Sequence, residues 1–297
     1  MGQPVWLEVA LNGAWTRSRQ PLIPVSPEEI IAQGIACAKA GASILHYHAY
    51  DSLTGQQTSA VDVNVRIIEG IKSKVDVIVY PAITGLSALQ ALTPEAGQMR
   101  YETNSTLADF GLMEWMVVDP GTVNMSPLAD SLQTGGPQGH LYVMTEPAIA
   151  HGLKLAQQKN IRPSYAIYEP GFLRLGAALA QRHACLTPIY RLMFSDQFSF
   201  SFPPSQRAIE IYHRYLQELA PEASWMVAGL GFDPSQWVVP TIELGGHVRV
   251  GLEDAILGID QSNVAQAEAA AQQIINSGHD LASAQQVRDH LAIREVR

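Results

Sequence analysis

Apolar runs of strand length alternate with amphipathic runs of helix length along nearly the whole chain. This alternation constrains the fold more than any other feature. The strand-like runs are VWLEVAL (5–11), SILHYHAY (43–50), VDVIVYPAI (75–83), WMVVDPGTVNM (115–125), PSYAIYEP (163–170), IYRLMFS (189–195), WMVAGLG (225–231) and HVRVGLE (247–253). The helical runs between them carry start and stop signals. SPEEIIAQGIACAKAGA begins with Ser26 as N-cap, Pro27 in the first turn and Glu29 at the capping-box position, and it stops at Gly41. TEPAIAHGLKLAQQKN, SQRAIEIYHRYLQELAPEA and NVAQAEAAAQQIINSG read in the same way. Strand–helix repetition predicts a mainly parallel α/β sheet. Eight strands without a long linker predict a single-domain (β/α)8 TIM barrel over residues 1–297. An open dinucleotide-binding sheet is disfavoured, because no G-x-G-x-x-G follows the first strand. Residues 97–112 and 126–140 are the least regular and are expected to form lid or interface loops.

Hydrophobic residues make up 47% and charged residues 16% of the 297, enough apolar chain for one large core. A net charge of −9 without Lys/Arg runs argues against nucleic acid or an anionic membrane as partner, while small anionic substrates stay open. Cys37 and Cys185 both fall in helical stretches and read as core residues of a protein in a reducing compartment, not as a disulfide framework. The N-terminal MGQPVWLEVALNGAW has no basic leader, Trp6 stands where a myristoylation signal needs Ser or Thr, and no run of about 18 apolar residues exists. A cytoplasmic protein is expected.

The second apolar run holds two histidines two places apart. On a strand, residues i and i+2 share a face, so His46 and His48 point the same way, in the last half of the strand. Active sites of such barrels lie at the C-terminal strand ends, and paired imidazoles there suit a divalent metal. A third ligand is needed. In GGHVRVGLEDA (245–255) the alternation sets His247, Arg249, Gly251 and Glu253 on one face, and Glu253 at the strand end is the best candidate. Asp254 follows at the mouth, and Arg249 lies about one layer below Glu253. A buried arginine is costly unless paired, so Arg249 either pairs with a carboxylate, orients Asp254 as a base, or binds a substrate carboxylate. Thr122 and Asn124 also share a face and can hydrogen-bond a carboxylate or carbonyl. Gly229 and Gly231 are a weak phosphate signal. These residues fit a metal-dependent aldolase or hydrolase, with Asp254 activating water, or a non-catalytic metal- or ligand-binding barrel, as well as other metal chemistry.

GASILHYH (41–48), GTVN (121–124), VAGLG (227–231) and above all GGHVRVGLED (245–254) resemble, in order along the chain, the motifs of the β-keto acid cleavage enzyme family. The resemblance implies a zinc-dependent (β/α)8 barrel, usually a homotetramer, that condenses a β-keto acid with acetyl-CoA to give acetoacetate and a new acyl-CoA. It implies zinc on His46, His48 and Glu253, Arg249 and Asp254 as the dyad that deprotonates the keto acid, and Thr122 and Asn124 as substrate contacts. The chain also departs from the family. The strand-2 motif H-x-H-x-R-D is here His46-Tyr47-His48-Ala49-Tyr50-Asp51. The family's S-T-G-G is Ile83-Thr84-Gly85-Leu86, which keeps Thr84 but loses the serine. The acidic P-E-x-E is Pro163-Ser164-Tyr165-Ala166, and Trp15 follows Ala14 where the members acting on 3-keto-5-aminohexanoate are acidic. With Trp15 and Ala166 in place of carboxylates, the resemblance implies a non-amino substrate.

Overall fold

The computed structural model describes residues 3–131 and 139–295. Eight parallel strands form the barrel: β1 (Leu7–Ala10), β2 (Ile44–Tyr47), β3 (Ile78–Pro81), β4 (Trp115–Val117), β7 (Arg162–Ile167), β8 (Ile189–Phe194), β9 (Trp225–Gly229) and β10 (His247–Val250). A separate antiparallel hairpin, β5 (Val123–Met125) and β6 (His140–Tyr142), sits between β4 and β7. The hydrogen-bonded order is β3-β2-β1-β10-β9-β8-β7-β4, and β3 packs against β4 to close the ring. All eight expected strands are therefore in the barrel. Each is buried along its whole length, one face toward the helices and the other toward the barrel interior, which is why each reads as a continuous apolar run.

The helices are α1 (Pro27–Lys39), α2 (Val61–Lys72), α3 (Ala88–Ala91), α4 (Ala96–Asp109), α5 (Leu128–Ser131), α6 (Glu146–Lys159), α7 (Pro170–His183), α8 (Gln206–Leu219), α9 (Val238–Glu243), α10 (Asn263–Asn276) and α11 (Ala284–Glu295). Ser26 caps α1 in a full capping box with Glu29, and Thr145, Ser205 and Ser262 cap α6, α8 and α10. No helix among the described residues is long and apolar enough to cross a membrane.

Four expectations are corrected. Residues 97–112 are mostly helix α4, not a loop; its buried face includes Arg100, Thr103 and Asn104, so the apolar periodicity that marks a helix is missing. The run 115–125 is not one strand. β4 ends at Val117, and Thr122 and Asn124 belong to the hairpin side of the break. The expected loop at 126–140 instead contains α5 and the start of β6, and its residues 132–138 lie outside the described residues. Cys185 falls just beyond the end of α7, whose C-cap is Ala184.

Inside the barrel, Trp6, Ile44, Ile78, Trp115, Ile189 and Met226 form an apolar floor, and α11 covers it from below with Ala284, Val287 and Leu291. His247 belongs to this floor. It stacks on Trp6 with ring centroids 3.9 Å apart, and its Nδ1 accepts the Trp6 backbone N–H at 3.2 Å. The next inward positions up the strands are charged or polar: Glu8, Tyr80, Arg191 and Arg249.

Candidate active site

The site is built where β1, β2 and β10 end side by side. The β1/β2 register pairs Ala10 with His46, and the β1/β10 register pairs Glu8 with Arg249. Just past β2, His48 is pinned by Asn12. The Asn12 Oδ1 accepts the His48 N–H at 2.8 Å and its Nδ2 donates to the His48 carbonyl at 2.9 Å. After β10, Gly251 takes a φ of +128° so close to β1 that a Cβ would lie 2.2 Å from the Ala10 carbonyl oxygen. Only glycine suits that turn. The turn folds Glu253 over the histidines and carries Asp254 back down to the level of Arg249, leaving it 1% exposed. Asp254 is thus not at the mouth, as strand alternation suggested.

His46 Nε2 stands 3.4 Å from Glu253 Oε2 and His48 Nε2 3.7 Å from Oε1. The three ligand atoms lie within 4.8 Å of one another. His46 Nδ1 meets the Tyr80 carbonyl at 3.2 Å and His48 Nδ1 meets Gln57 Oε1 at 2.6 Å. A carbonyl oxygen only accepts, so each Nδ1 donates to it, and Nε2 is the ring nitrogen that faces the carboxylate. Burial pushes His46 well below its ordinary pKa, keeping it neutral. Burial would raise Glu253, but chiefly the charge of Arg249 outweighs it and holds the carboxyl well below the usual range. Glu253 Oε2 is buried and makes no hydrogen bond. Two ring nitrogens and a carboxylate with one unpartnered oxygen converge on one point. The donor set fits a divalent metal.

Arg249, fully buried, ties the site together. Its Nη2 reaches Glu253 at 3.1 Å and Asp254 at 2.7 Å, its Nε reaches Asp254 at 2.9 Å, and its Nη1 donates to Glu8 at 2.9 Å. Glu8 also accepts the Tyr80 hydroxyl at 2.7 Å. Asp254 further accepts the Gly229 N–H at 3.1 Å. Burial raises Asp254 above its ordinary value against the pull of Arg249 and Gly229.

The remaining expected site residues scatter. Trp15 donates its indole N–H to the Glu253 carbonyl at 2.8 Å and stacks on Phe198. Tyr50, at the arginine position of the family motif, donates to the carbonyls of Gly13 and Trp15 and so braces that loop. Ala166 is buried on β7 and donates its N–H to Asp119 at 3.1 Å. Thr84 lends only its backbone to Arg100. Ile83, at the serine position, packs into the core. Thr122 is exposed, and its hydroxyl bridges both backbone groups of Met144 in the hairpin. Asn124 is also exposed, on β5. Sequence reasoning missed Glu8, Tyr80, Asp119 and Arg191. The signal for Glu8 and Arg191 was present: a lone charge in the middle of VWLEVAL and of IYRLMFS, where burial demands a partner.

Fold and site together define a (β/α)8-barrel protein with a His-His-Glu group that could hold a metal ion at the C-terminal strand ends. Residues 4–293 match the family model of the beta-keto acid cleavage enzymes, and the chain belongs to that family. The chain is 26% identical, over 99% of its length and all of the relative's, to a 3-keto-5-aminohexanoate cleavage enzyme of Fusobacterium nucleatum. It is 26% identical to a 3-oxoadipate:acetyl-CoA acetyltransferase of Cupriavidus necator, covering 91% of this chain and 86% of that one. Among solved structures, apo ObcA superposes with a TM-score of 0.71 at 16% identity, over 93% of this chain and 66% of that chain. That likeness shows the fold.

Proposed function

We propose that the protein is a zinc-dependent acyltransferase that condenses a non-amino β-keto acid with acetyl-CoA and releases acetoacetate and a new acyl-CoA. The observation that carries this reading is the joining of the His46–His48–Glu253 group to Asp254 through one buried guanidinium. A divalent metal held by those three residues supplies a Lewis acid for the keto oxygen and increases the acidity of C2. Two histidines and one carboxylate with neutral imidazoles are a ligand set that zinc favours.

Asp254 takes the C2 proton. It suits a general base because burial raises its affinity for the proton while the two-point contact with Arg249 fixes its position. Glu8 holds the far side of Arg249, so the guanidinium cannot swing away when Asp254 becomes neutral. The C2 carbanion attacks the acetyl thioester, coenzyme A passes to the substrate's own acyl carbon, and the C2–C3 bond breaks. Trp15 and Ala166 offer no carboxylate to an ammonium group, so burying one there costs several kcal/mol. 3-Keto-5-aminohexanoate is expected to react at least ~100-fold less well in kcat/KM than non-amino β-keto acids. The reading carries with it the family's cytoplasmic homotetramer, checked by light scattering.

The test is incubation of zinc-loaded protein with a β-keto acid panel, with and without acetyl-CoA. Acetoacetate formed only with the thioester is the expected result. Cleavage that ignores the thioester would move the protein to the aldolases or hydrolases.

A further inference from the structure

Arg191 is the second guanidinium buried inside the barrel, 3% exposed, on the strand that faces the site from the β7/β8 side. Unlike Arg249 it makes no two-point contact with a carboxylate among the described residues. Its Nη2 donates to the Ser164 carbonyl at 3.2 Å, a neutral partner. The nearest carboxylate that it pairs with, Asp119, stands 3.6 Å away, beyond hydrogen-bond distance. Asp119 is already engaged by the Tyr142 hydroxyl at 2.7 Å and the Ala166 N–H at 3.1 Å. Arg191 Nε is buried with no hydrogen-bond partner. A buried guanidinium with an unused donor gains a hydrogen bond when a planar anion supplies the missing acceptor. The residue paired with Arg191 on β7 is Ala166, the smallest side chain that still packs there. Arg191 on β8 and Arg249 on β10 are both buried, with only β9 between their strands.

We infer that Arg191 is a specificity-determining residue that receives a second, distal carboxylate of the substrate, so that the preferred β-keto acid is a dicarboxylate. This rests on the proposed reaction and names its substrate class. Asp119, held by the Tyr142 hydroxyl, faces Arg191 at 3.6 Å.

The experiment compares two six-carbon substrates, 3-oxohexanedioate and 3-oxohexanoate, which differ by the distal carboxylate. Wild-type protein is expected to favour the dicarboxylate by at least about 100-fold in kcat/KM, because a buried polar group left unpaired penalises the substrate that lacks its partner. Arg191→Gln should abolish that preference through a loss of kcat/KM on the dicarboxylate, and Arg191→Lys should keep part of it. Binding of two unreactive probes, adipate and hexanoate, is measured in parallel by calorimetry. Tighter adipate binding in wild type, lost in Arg191→Gln, supports the anion seat even if no acetoacetate forms; in that case the reaction assignment fails and the seat stands. Equal binding of adipate and hexanoate to wild type, a wild-type preference for the monocarboxylate, or an equal loss on both substrates in Arg191→Gln would overturn the inference. The wild-type comparison needs no variant to fold.

Discussion

The two ends of the barrel interior use the same strands for opposite purposes. At the N-terminal end, Trp6, Ile78, Trp115, Ile189 and Met226 fill the lumen and α11 closes it. At the C-terminal end, two residues further along β1 and β8, the lumen holds Glu8 and Arg191, joined by Arg249, His46, Glu253 and Asp254. Both ends are equally buried. The difference is that apolar packing is satisfied by neighbours of any suitable shape, whereas each buried charge needs a specific partner or a ligand. His247 and His46 illustrate it. Both are buried barrel histidines, yet His247 lies flat on Trp6 with its Nδ1 committed to a backbone N–H, while His46 keeps Nε2 directed at a carboxylate. The lower half holds the fold, and the upper half holds a ligand set.

If that division is right, substitutions at the two ends separate cleanly. The largest effect is expected from His46→Ala, His48→Ala or Glu253→Gln. Wild-type protein should carry about one zinc per chain, and each variant should lose it, as read by metal analysis. Full occupancy in all three would end the assignment. Next is Asp254→Asn, which keeps the shape and removes the basic oxygen. It should retain the metal and lose about 10²–10⁴-fold in exchange of the C2 proton with heavy water without acetyl-CoA. Arg249→Ala should lose rate too, and the double variant should be little worse than the poorer single one if the pair acts as a unit.

At the other end, Trp6→Ala should cost about 3–5 kcal/mol in denaturant unfolding, through loss of its packing on His247 and Trp115, while metal content per folded chain is unchanged. Loss of metal in this variant would show that floor and site are not separable. The smallest effect lies outside the barrel, at the capping box of α1. Burial tends to raise Glu29, but the N–H groups of Val25 and Ser26 and the Arg17 guanidinium bring it down to about 2. A pKa depressed on folding adds stability above the unfolded value of 4.5, and that stability is lost as pH falls toward 2. Glu29→Gln should therefore lower stability by about 0.5–1 kcal/mol near neutral pH, and the gap from wild type should narrow as the medium is acidified below the unfolded value. A gap independent of pH would trace the effect to the lost cap geometry instead of charge.

Much of this was legible in the one-dimensional chain. Strands buried on both faces announce themselves as apolar runs, and the caps at Ser26 and Thr145 mark helix starts because those hydroxyls satisfy otherwise unpaired N–H groups. The period of two along a strand put His46 and His48 on one face, and the ring centroids are 5.4 Å apart. Helix α4 was hidden, because a helix packed through arginine and asparagine has no apolar stripe. The split between β4 and the hairpin was hidden too, since a strand that leaves the barrel at Val118 and one that continues have the same local composition.

What the sequence determined by itself is the set of elements, their order and the parity of the residues within each, all properties of local periodicity and burial. What only the tertiary structure decided is which of those residues meet. Arg249 pairs with Glu8 across 241 positions because closing the barrel makes the first and last strands neighbours. Asp254 turns down to the same guanidinium because Gly251 adopts a backbone conformation whose need is created by the Ala10 carbonyl on another strand. Arg191 is left with a donor unused for the same reason: whether a buried charge finds its partner depends on the three-dimensional arrangement of distant strands, and no local pattern in the chain encodes it.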